Sequence, residues 1–431
     1  MKNFLKKIIV DIITFEARLV LVKYRPRIAA VTGSVGKTST KEAIYAVLSK
    51  SFKTRKSLKS YNSEIGIPLS ILGCLSGWTN PLSWFKNIVE GLALILFPHA
   101  YPEWLVLEVG ADRPDDIKKI ADWLKPDVVV ITRIGEMPVH VEFFTSPQAL
   151  AKEKSYLASA LKPSGTLILN ADDPVVRDMG DRTKTVIKTY GFDESADFRA
   201  SNMRVIYGEI SKIPEGISFK LDYDGKILPV RLSGVLGKQA IYASLVALVI
   251  GDVLNINLLS VVSALSEFRM PPGRMNLITG IKDSLVLDDT YNSSPVALEA
   301  ALETLKEIEV KGRRVCVLGD MMELGKYTVE AHKAAGFQAT KSCDLLYTVG
   351  QRAKFISEGA ALEGFKHENI YHFDDAIQAG RKLQQVLGSG DVVLVKGSQY
   401  MRMERAVEEV MAEPERKGEL LARQEPEWQN R

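Results

Sequence analysis

The sequence predicts an α/β protein. A P-loop central domain holds a mostly parallel sheet with a small antiparallel insertion, and a C-terminal Rossmann-like α/β domain follows. Three observations predict this. An apolar run, Ile28 to Val31, breaks into Gly33-Ser34-Val35-Gly36-Lys37-Thr38 and then into a helical pattern from Thr40 to Leu48. Short apolar runs alternate with amphipathic stretches along much of the chain, the pattern of parallel strands joined by crossover helices. The 431 residues suffice for two or three domains with cores of their own.

Strand, glycine turn, Lys-Thr and helix, in that order, make a phosphate-binding loop. The glycines let backbone N–H groups curl around a phosphate. The helix N-terminus adds unpaired donors and a partial positive charge. Gly33, Ser34, Val35, Gly36, Lys37, Thr38 and Ser39 are therefore the nucleotide-binding candidates. Lys37 is placed to reach the outer phosphates and the Thr38 hydroxyl to sit on Mg²⁺. The spacing is shorter than the usual G-x-x-x-x-G-K-[ST], but Thr32 extends it to T-G-x-x-G-K-T. The alternative is a glycine turn that binds nothing.

Hydrophobic residues make up 46% and charged residues 25%, an ordinary globular balance. The net charge of +3, with both signs interspersed, argues against a nucleic-acid partner and leaves small anionic substrates open. Three cysteines, Cys74, Cys316 and Cys343, without a C-x-x-C, suit a reducing cytoplasm.

Residues 1–26 read as an amphipathic helix, with apolar residues at 5, 8, 9, 12, 13, 19 and 20. Lys6, Lys7, Asp11, Glu16 and Arg18 interrupt it, so no uncharged run reaches the ~18 residues that span a bilayer. No small-residue cleavage site follows, which argues against a signal peptide. The apolar run Ile88 to Phe97 is also too short to span. Packing of both helices on the protein is the first expectation. Resting on the inner face of the membrane is the second.

The central domain is expected over 27–270. After the loop helix, Tyr61-Asn62-Ser63-Glu64 leads into a short helix, and its polar cluster offers Asn62 and Glu64 as a substrate edge or as turn formers only. Leu105 to Val109 is a strand holding Glu108, a carboxylate costly to bury unless paired or bound to a metal. Asp127 to Thr132 is the next strand, with His140 beyond its end. Ligands of such sheets bind past the carboxyl ends of the strands, so Glu108 and His140 fall on the rim of the phosphate loop. A helix from Pro147 to Leu161 carries Lys154, and Thr166 to Asn170 is a further strand. Short alternating runs over about 197–235 suggest the antiparallel insertion. Helices follow at Gln239 to Val253 and Leu258 to Phe268.

Pro271-Pro272-Gly273-Arg274 reads as a linker into a second α/β domain, 271–412. Its strands are expected at Leu285 to Asp288, Arg314 to Leu318, Leu345 to Val349 and Val392 to Val395. Helices alternate with them at Pro295 to Ile308, Val329 to Thr340, Ala353 to Gly359, Asp374 to Leu387 and Met401 to Met411. The charged tail, 413–431, is expected to fray.

Ten motifs in order, T-G-S-V-G-K-T, Y-N-S-E-I-G-I-P, E-V-G-A, H-V-E-F-F, A-K-E-K, N-A-D-D-P, P-G-R, D-D-T-Y-N-S-S-P, L-G-D-M-M-E-L-G and V-K-G-S-Q-Y-M-R-M-E, resemble the Mur ligase family over about residues 27 to 411. The resemblance implies an enzyme of peptidoglycan precursor synthesis. ATP phosphorylates a carboxylate, and an amine then attacks the acyl phosphate to form an amide. It implies D-alanyl-D-alanine as the amine and a UDP-linked muramoyl tripeptide as the acceptor. Lys37, His140, Lys154 and Arg274 would be catalytic. Thr38 and Glu108 would hold one Mg²⁺. His140 and a carbamylated Lys154 would serve a second, with a plain surface lysine as the alternative for Lys154. Arg274, Asp289 and Asn292 would contact ATP from the second domain. Asp320, Glu323 and Lys396 would face the amine substrate, unless their loops are ordinary strand-to-helix turns. A cytoplasmic monomer is expected.

Three departures stand out. About 26 residues precede the first strand, so the family's N-terminal UDP-gripping domain is expected to be absent. Glu136-Met137-Pro138-Val139 lengthens the stretch before His140, which is assigned through H-V-E-F-F. Gly237-Lys238-Gln239-Ala240 replaces the family's G-x-H-N. Two alternatives remain open: a Mur-type ligase acting on a non-UDP or membrane-linked acceptor, and a nucleotide-binding partner subunit without catalysis.

Overall fold

The structure is a computed structural model describing residues 2–58, 61–78, 80–136, 140–182, 184–209, 213–425 and 428. Met137, Pro138 and Val139 of the lengthened stretch before His140 fall outside these residues.

Among the described residues, two sheets organise the chain. The first contains β1 (Arg27–Thr32), β2 (Thr54–Lys56), β3 (Trp104–Glu108), β4 (Val128–Ile131), β5 (Thr166–Asn170), β6 (Val186–Gly191), β7 (Phe198–Tyr207), β8 (Pro214–Tyr223) and β9 (Lys226–Ser233). Their order across the sheet is β2-β3-β1-β4-β5-β6-β7-β8-β9. Pairing is parallel from β2 to β7 and antiparallel from β7 to β9. The alternating runs after Asp197 therefore continue the central sheet, joined where Tyr190 of β6 meets Phe198 of β7.

β1 is apolar almost throughout because both of its faces are covered. Ala29 and Val31 pack with Val106 and Val130 on one side, and Ile28 and Ala30 pack with Leu105 and Leu107 on the other. The second face is covered by α1 (Lys2–Tyr24), α3 (Gly66–Leu72), α4 (Pro81–Leu96), α5 (Asp116–Ala121), α6 (Pro147–Ser159) and the short α7 (Pro174–Arg177). The first is covered by α2 (Lys37–Leu48), α8 (Lys238–Val253) and α9 (Leu258–Ser266). Helix α8 is buried from Ala240 to Gly251, so its sequence is apolar all round.

The second sheet holds β10 (Asn276–Thr279), β11 (Leu285–Asp289), β12 (Arg314–Gly319), β13 (Leu345–Val349), β14 (Ile370–Phe373) and β15 (Val392–Lys396), in the order β10-β11-β15-β12-β13-β14. Only β10 runs antiparallel to its neighbour. Helices α10 (Pro295–Glu307), α11 (Thr328–Thr340), α12 (Lys354–Leu362), α13 (Ala376–Val386) and α14 (Glu404–Glu408) alternate with the strands.

The tail does not fray over its described part. Leu421 and Ala422 are buried. Arg423 Nη2 donates to Thr290 O at 2.6 Å and to Glu404 Oε2 at 2.8 Å, and Nη1 donates to Tyr291 O at 2.9 Å. A buried carboxylate and two strand-end carbonyls together neutralise and satisfy the guanidinium. Tail composition alone does not reveal those partners.

Helix α1 packs through Ile13, Ala17 and Val20. Lys23 Nζ donates to the last carbonyls of α4, Leu94 O and Ile95 O at 2.9 Å and Phe97 O at 2.6 Å. No helix among the described residues is long and apolar enough to cross a membrane.

Between α1 and α4 lies Glu16, 2% exposed, with no hydrogen-bond partner for either carboxylate oxygen among the described residues. Gly91 makes the room, since a Cβ there would overlap the carboxylate. Burial pushes Glu16 up to about 7. Between pH 4.5 and 7 the unfolded chain releases this proton before the folded one does. Stability therefore falls as pH rises through that window, and the deficit is complete above about 7. Glu16→Gln is expected to raise unfolding stability by about 1–2 kcal/mol at pH 8 and far less at pH 5. Urea denaturation at the two pH values measures it, and an equal gain at both would contradict the buried-charge explanation.

Candidate active site

The phosphate loop is shaped by two glycines. Gly33 has φ +142°, and a Cβ there would collide with the Thr132 side chain of the neighbouring strand. Gly36, at φ +89°, caps α2, which begins at Lys37. Ser34 N and Val35 N donate to Arg133 O at 2.9 and 3.0 Å, so these two amides pin the loop to the end of β4. Gly36, Lys37, Thr38 and Ser39 line the cleft. First-turn N–H groups of a helix have no carbonyl ahead of them and are donors for an anion. Lys37 Nζ folds back to Gly33 O at 2.9 Å. Desolvation lowers its pKa, while Glu108 and Asp112 favour the cation.

Beside the loop, Thr38 Oγ1 donates to Glu108 Oε2 at 2.9 Å. Glu108 ends β3, 5% exposed, its backbone N–H held by Ser57 Oγ at 3.0 Å. Burial alone would raise its pKa. Lys41, Lys37, Arg274 and the Thr38 bond overcome that and hold it below the usual carboxylate range. Lys41, buried, lies 3.9 Å from Glu108 Oε2 and donates to Ser57 O at 2.9 Å. Asn62 Nδ2 approaches Glu108 Oε1 at 3.4 Å. Lys154 of α6, 2% exposed, donates to Gly33 O at 3.0 Å from behind the loop, and burial pulls it down to about 7.

The C-terminal sheet closes the cleft from the other side. Arg274 Nη2 donates to Thr38 Oγ1 at 2.9 Å, and its guanidinium lies 4.2 Å from the centre of the Tyr291 ring. Asp289, Asn292 and Lys396 also line the cleft. Lys396 Nζ donates to Asp289 Oδ2 at 2.6 Å and to Asn292 O at 2.8 Å. The cleft volume is about 360 Å³, within the range of small-molecule sites.

The structure thus gathers the loop residues Ser34 to Ser39 with Asn62, Glu108, His140, Arg274, Asp289, Asn292 and Lys396 around one space. Five predicted residues stand apart from the cleft lining: Gly33 and Lys154, which meet behind the loop, and Glu64, Asp320 and Glu323. Glu64 is exposed ahead of α3. Asp320 is 5% exposed and accepts from Ala353 N at 2.7 Å, bracing the start of α12. Glu323 turns its carboxylate to His140, 2.6 Å from Nδ1. That contact bridges the two sheets, and Glu142 N reaches Glu323 O beside it at 3.4 Å. Lys41, Asp112 and Tyr291 line or support the site without having been singled out. The signal for Lys41 lay four residues past Lys37, one helical turn on, facing the same strand end.

The donor set fits a hard cation at Thr38 and Glu108: a hydroxyl and a buried carboxylate held below the usual carboxylate range. No group of three or more His, Cys, Asp or Glu side chains ready to hold a metal occurs among the described residues.

Residues 31–81 and 85–251 match the Mur ligase middle domain, and residues 273–399 match the Mur ligase glutamate ligase domain. The chain is 27% identical over 399 residues to the UDP-N-acetylmuramoyl-tripeptide–D-alanyl-D-alanine ligase of Bacillus subtilis, covering 92% of this chain and 79% of that protein. The enzyme of the same name from Escherichia coli is 27% identical over 392 residues, covering 88% and 76%. Among solved structures, the MurF ligase of Thermotoga maritima in complex with ADP superposes with a TM-score of 0.76 at 27% identity, covering 95% of this chain and 84% of that one.

Proposed function

Because the chain belongs to the Mur ligase family, we propose that it is an ATP-dependent ligase of peptidoglycan precursor synthesis, joining D-alanyl-D-alanine to a UDP-N-acetylmuramoyl-tripeptide. The observation that carries the reading is the convergence of Lys37, Thr38 and Glu108 from one domain with Arg274 from the other. The names of the relatives from Bacillus subtilis and Escherichia coli support the choice of substrates. The ADP in the Thermotoga maritima structure supports ATP as the phosphoryl donor.

In this reading the tripeptide carboxylate oxygen attacks the γ-phosphorus and ADP leaves, giving an acyl phosphate. The dipeptide amine then attacks the acyl carbon, phosphate leaves and the amine loses a proton. Lys37 and the first-turn amides of α2 stabilise charge on the transferring phosphoryl group. Arg274 adds a second cation from across the cleft. Thr38 and Glu108 would hold Mg²⁺, which offsets phosphate charge when bound. Asp289 and Lys396, already paired, fix the wall on which Asn292 sits. His140 remains the candidate for a second Mg²⁺.

Lys154 is assigned as the carbamylated lysine. With burial holding it at about 7, its neutral amine dominates above that pH. Only the neutral amine adds CO₂, losing a proton to form the carbamate. Removing dissolved CO₂ at pH 7.5 is expected to slow ligation severalfold, with bicarbonate restoring it. A rate indifferent to CO₂ would remove the carbamate from the mechanism.

The reading places the enzyme in the cytoplasm as a monomer, where ATP is supplied, with contact to the inner membrane face. Incubation with ATP, Mg²⁺, UDP-muramoyl-tripeptide and D-alanyl-D-alanine should release ADP and phosphate and yield the pentapeptide by mass. Sustained ADP release over many turnovers that does not depend on the amine would reject the assignment.

A further inference from the structure

Helices α1 and α4 are each apolar on two faces, one packed on the protein and one turned outward. From the outward faces we infer a docking surface for an anionic lipid bilayer. The inference deepens the membrane contact of the proposed function and does not depend on the ligase chemistry. On α1, Ile8, Ile12, Phe15, Leu19 and Val22 are between 37% and 68% exposed. Their alternating spacings of four and three keep all five on one line along the helix. On α4, Leu82, Phe85, Val89, Leu92 and Leu96 repeat that pattern at 46% to 78% exposure. The helices are neighbours, with Glu16 against Gly91 and Lys23 on the last carbonyls of α4, so the two outward lines lie on adjacent helices. Ten exposed large apolar side chains on two adjacent helices are more than the scattered few expected of a monomeric surface.

Charge selects the occupant. Helix α1 carries Lys2, Lys6, Lys7, Arg18 and Lys23 against Asp11 and Glu16, an excess of +3. The whole chain carries +3, so the remainder is neutral overall. The positive charge of the molecule is thus concentrated in the helix bearing the outward apolar line, with exposed Lys6, Lys7 and Arg18 beside it. Cations beside a Phe- and Leu-rich face are the composition of a helix lying in the headgroup plane of an anionic membrane. A second copy on the same face would instead bring two like-charged helices together.

Flotation of the full-length chain with phosphatidylcholine vesicles, with and without one-third phosphatidylglycerol, tests this. The protein is expected to float with the anionic vesicles and to be released by high salt. Lys6→Glu with Lys7→Glu should weaken binding on the order of ten-fold or more, since each cation contributes roughly five-fold. The exposed set Phe15→Gln, Leu19→Gln, Phe85→Gln and Leu92→Gln should stay in the aqueous phase with an unchanged melting temperature. Three results would each overturn the proposal. The parent does not float with anionic vesicles, or the lysine variant binds them as the parent does. The third is a concentration-dependent dimer, seen by light scattering, that the four-glutamine variant abolishes.

Discussion

Lys37→Ala is expected to release ADP roughly 10³-fold more slowly than the parent in the complete reaction mixture. Lys37 is the basic group of the phosphate loop, its Nζ curled 2.9 Å from Gly33 O, with desolvation lowering its pKa and Glu108 and Asp112 opposing that pull. Its loss leaves the first-turn amides of α2 to face the phosphoryl charge alone. Lys37→Arg is expected to be nearly as slow, because a planar fork cannot take the place of a point charge folded back over the loop. The fold should survive, since the side chain belongs to neither apolar core. Steady-state ADP release, with the melting temperature as the folding control, decides it. A parent-like rate in the alanine variant would remove the phosphoryl-transfer assignment.

Arg274→Ala is expected to lower kcat by about 10²-fold with a smaller effect on the KM for ATP. Arg274 crosses from one domain to the other, donating to Thr38 and lying on Tyr291. Its removal takes a cation from the cleft and also unfastens the second domain from the phosphate loop. Arg274→Lys should recover little, because stacking on the ring and bonding to the hydroxyl need a planar, multidentate group. A variant that lost only ATP affinity, with kcat intact, would place Arg274 in ground-state binding.

Local chemistry made the phosphate loop legible. Glycine, lysine and threonine at fixed spacing between an apolar run and a helix carry their geometry with them. The apolar strands around it were equally plain, because burial on both faces leaves them without polar residues. The short strands β2, β10 and β14 were not foreseen. Each lies at a sheet edge, where one side needs no apolar cover. β6 carries Lys188 and Thr189 and escaped for the same lack of an apolar run. At the site, Glu108 could be singled out as a costly buried charge, and Lys154 through the resemblance of A-K-E-K to a family motif. The pairing of His140 with Glu323, 183 positions apart, could not, because no local pattern records which loops of two domains meet. The bond made by Asp320 was hidden for a related reason. An acidic residue at a strand end serves a ligand or a helix start equally well, and here it serves α12.

The strand order has a consequence for how quickly this molecule assembles. β1 sits between β3 and β4, and β15 between β11 and β12. Each site-bearing strand therefore waits for neighbours far along the chain. Pairings of such long sequence separation form late and slowly. A nucleotide recognising the finished cleft then does little to hasten assembly. It acts mainly as a brake on unfolding, lengthening the lifetime of the native state by a factor of one plus the ratio of free nucleotide concentration to Kd.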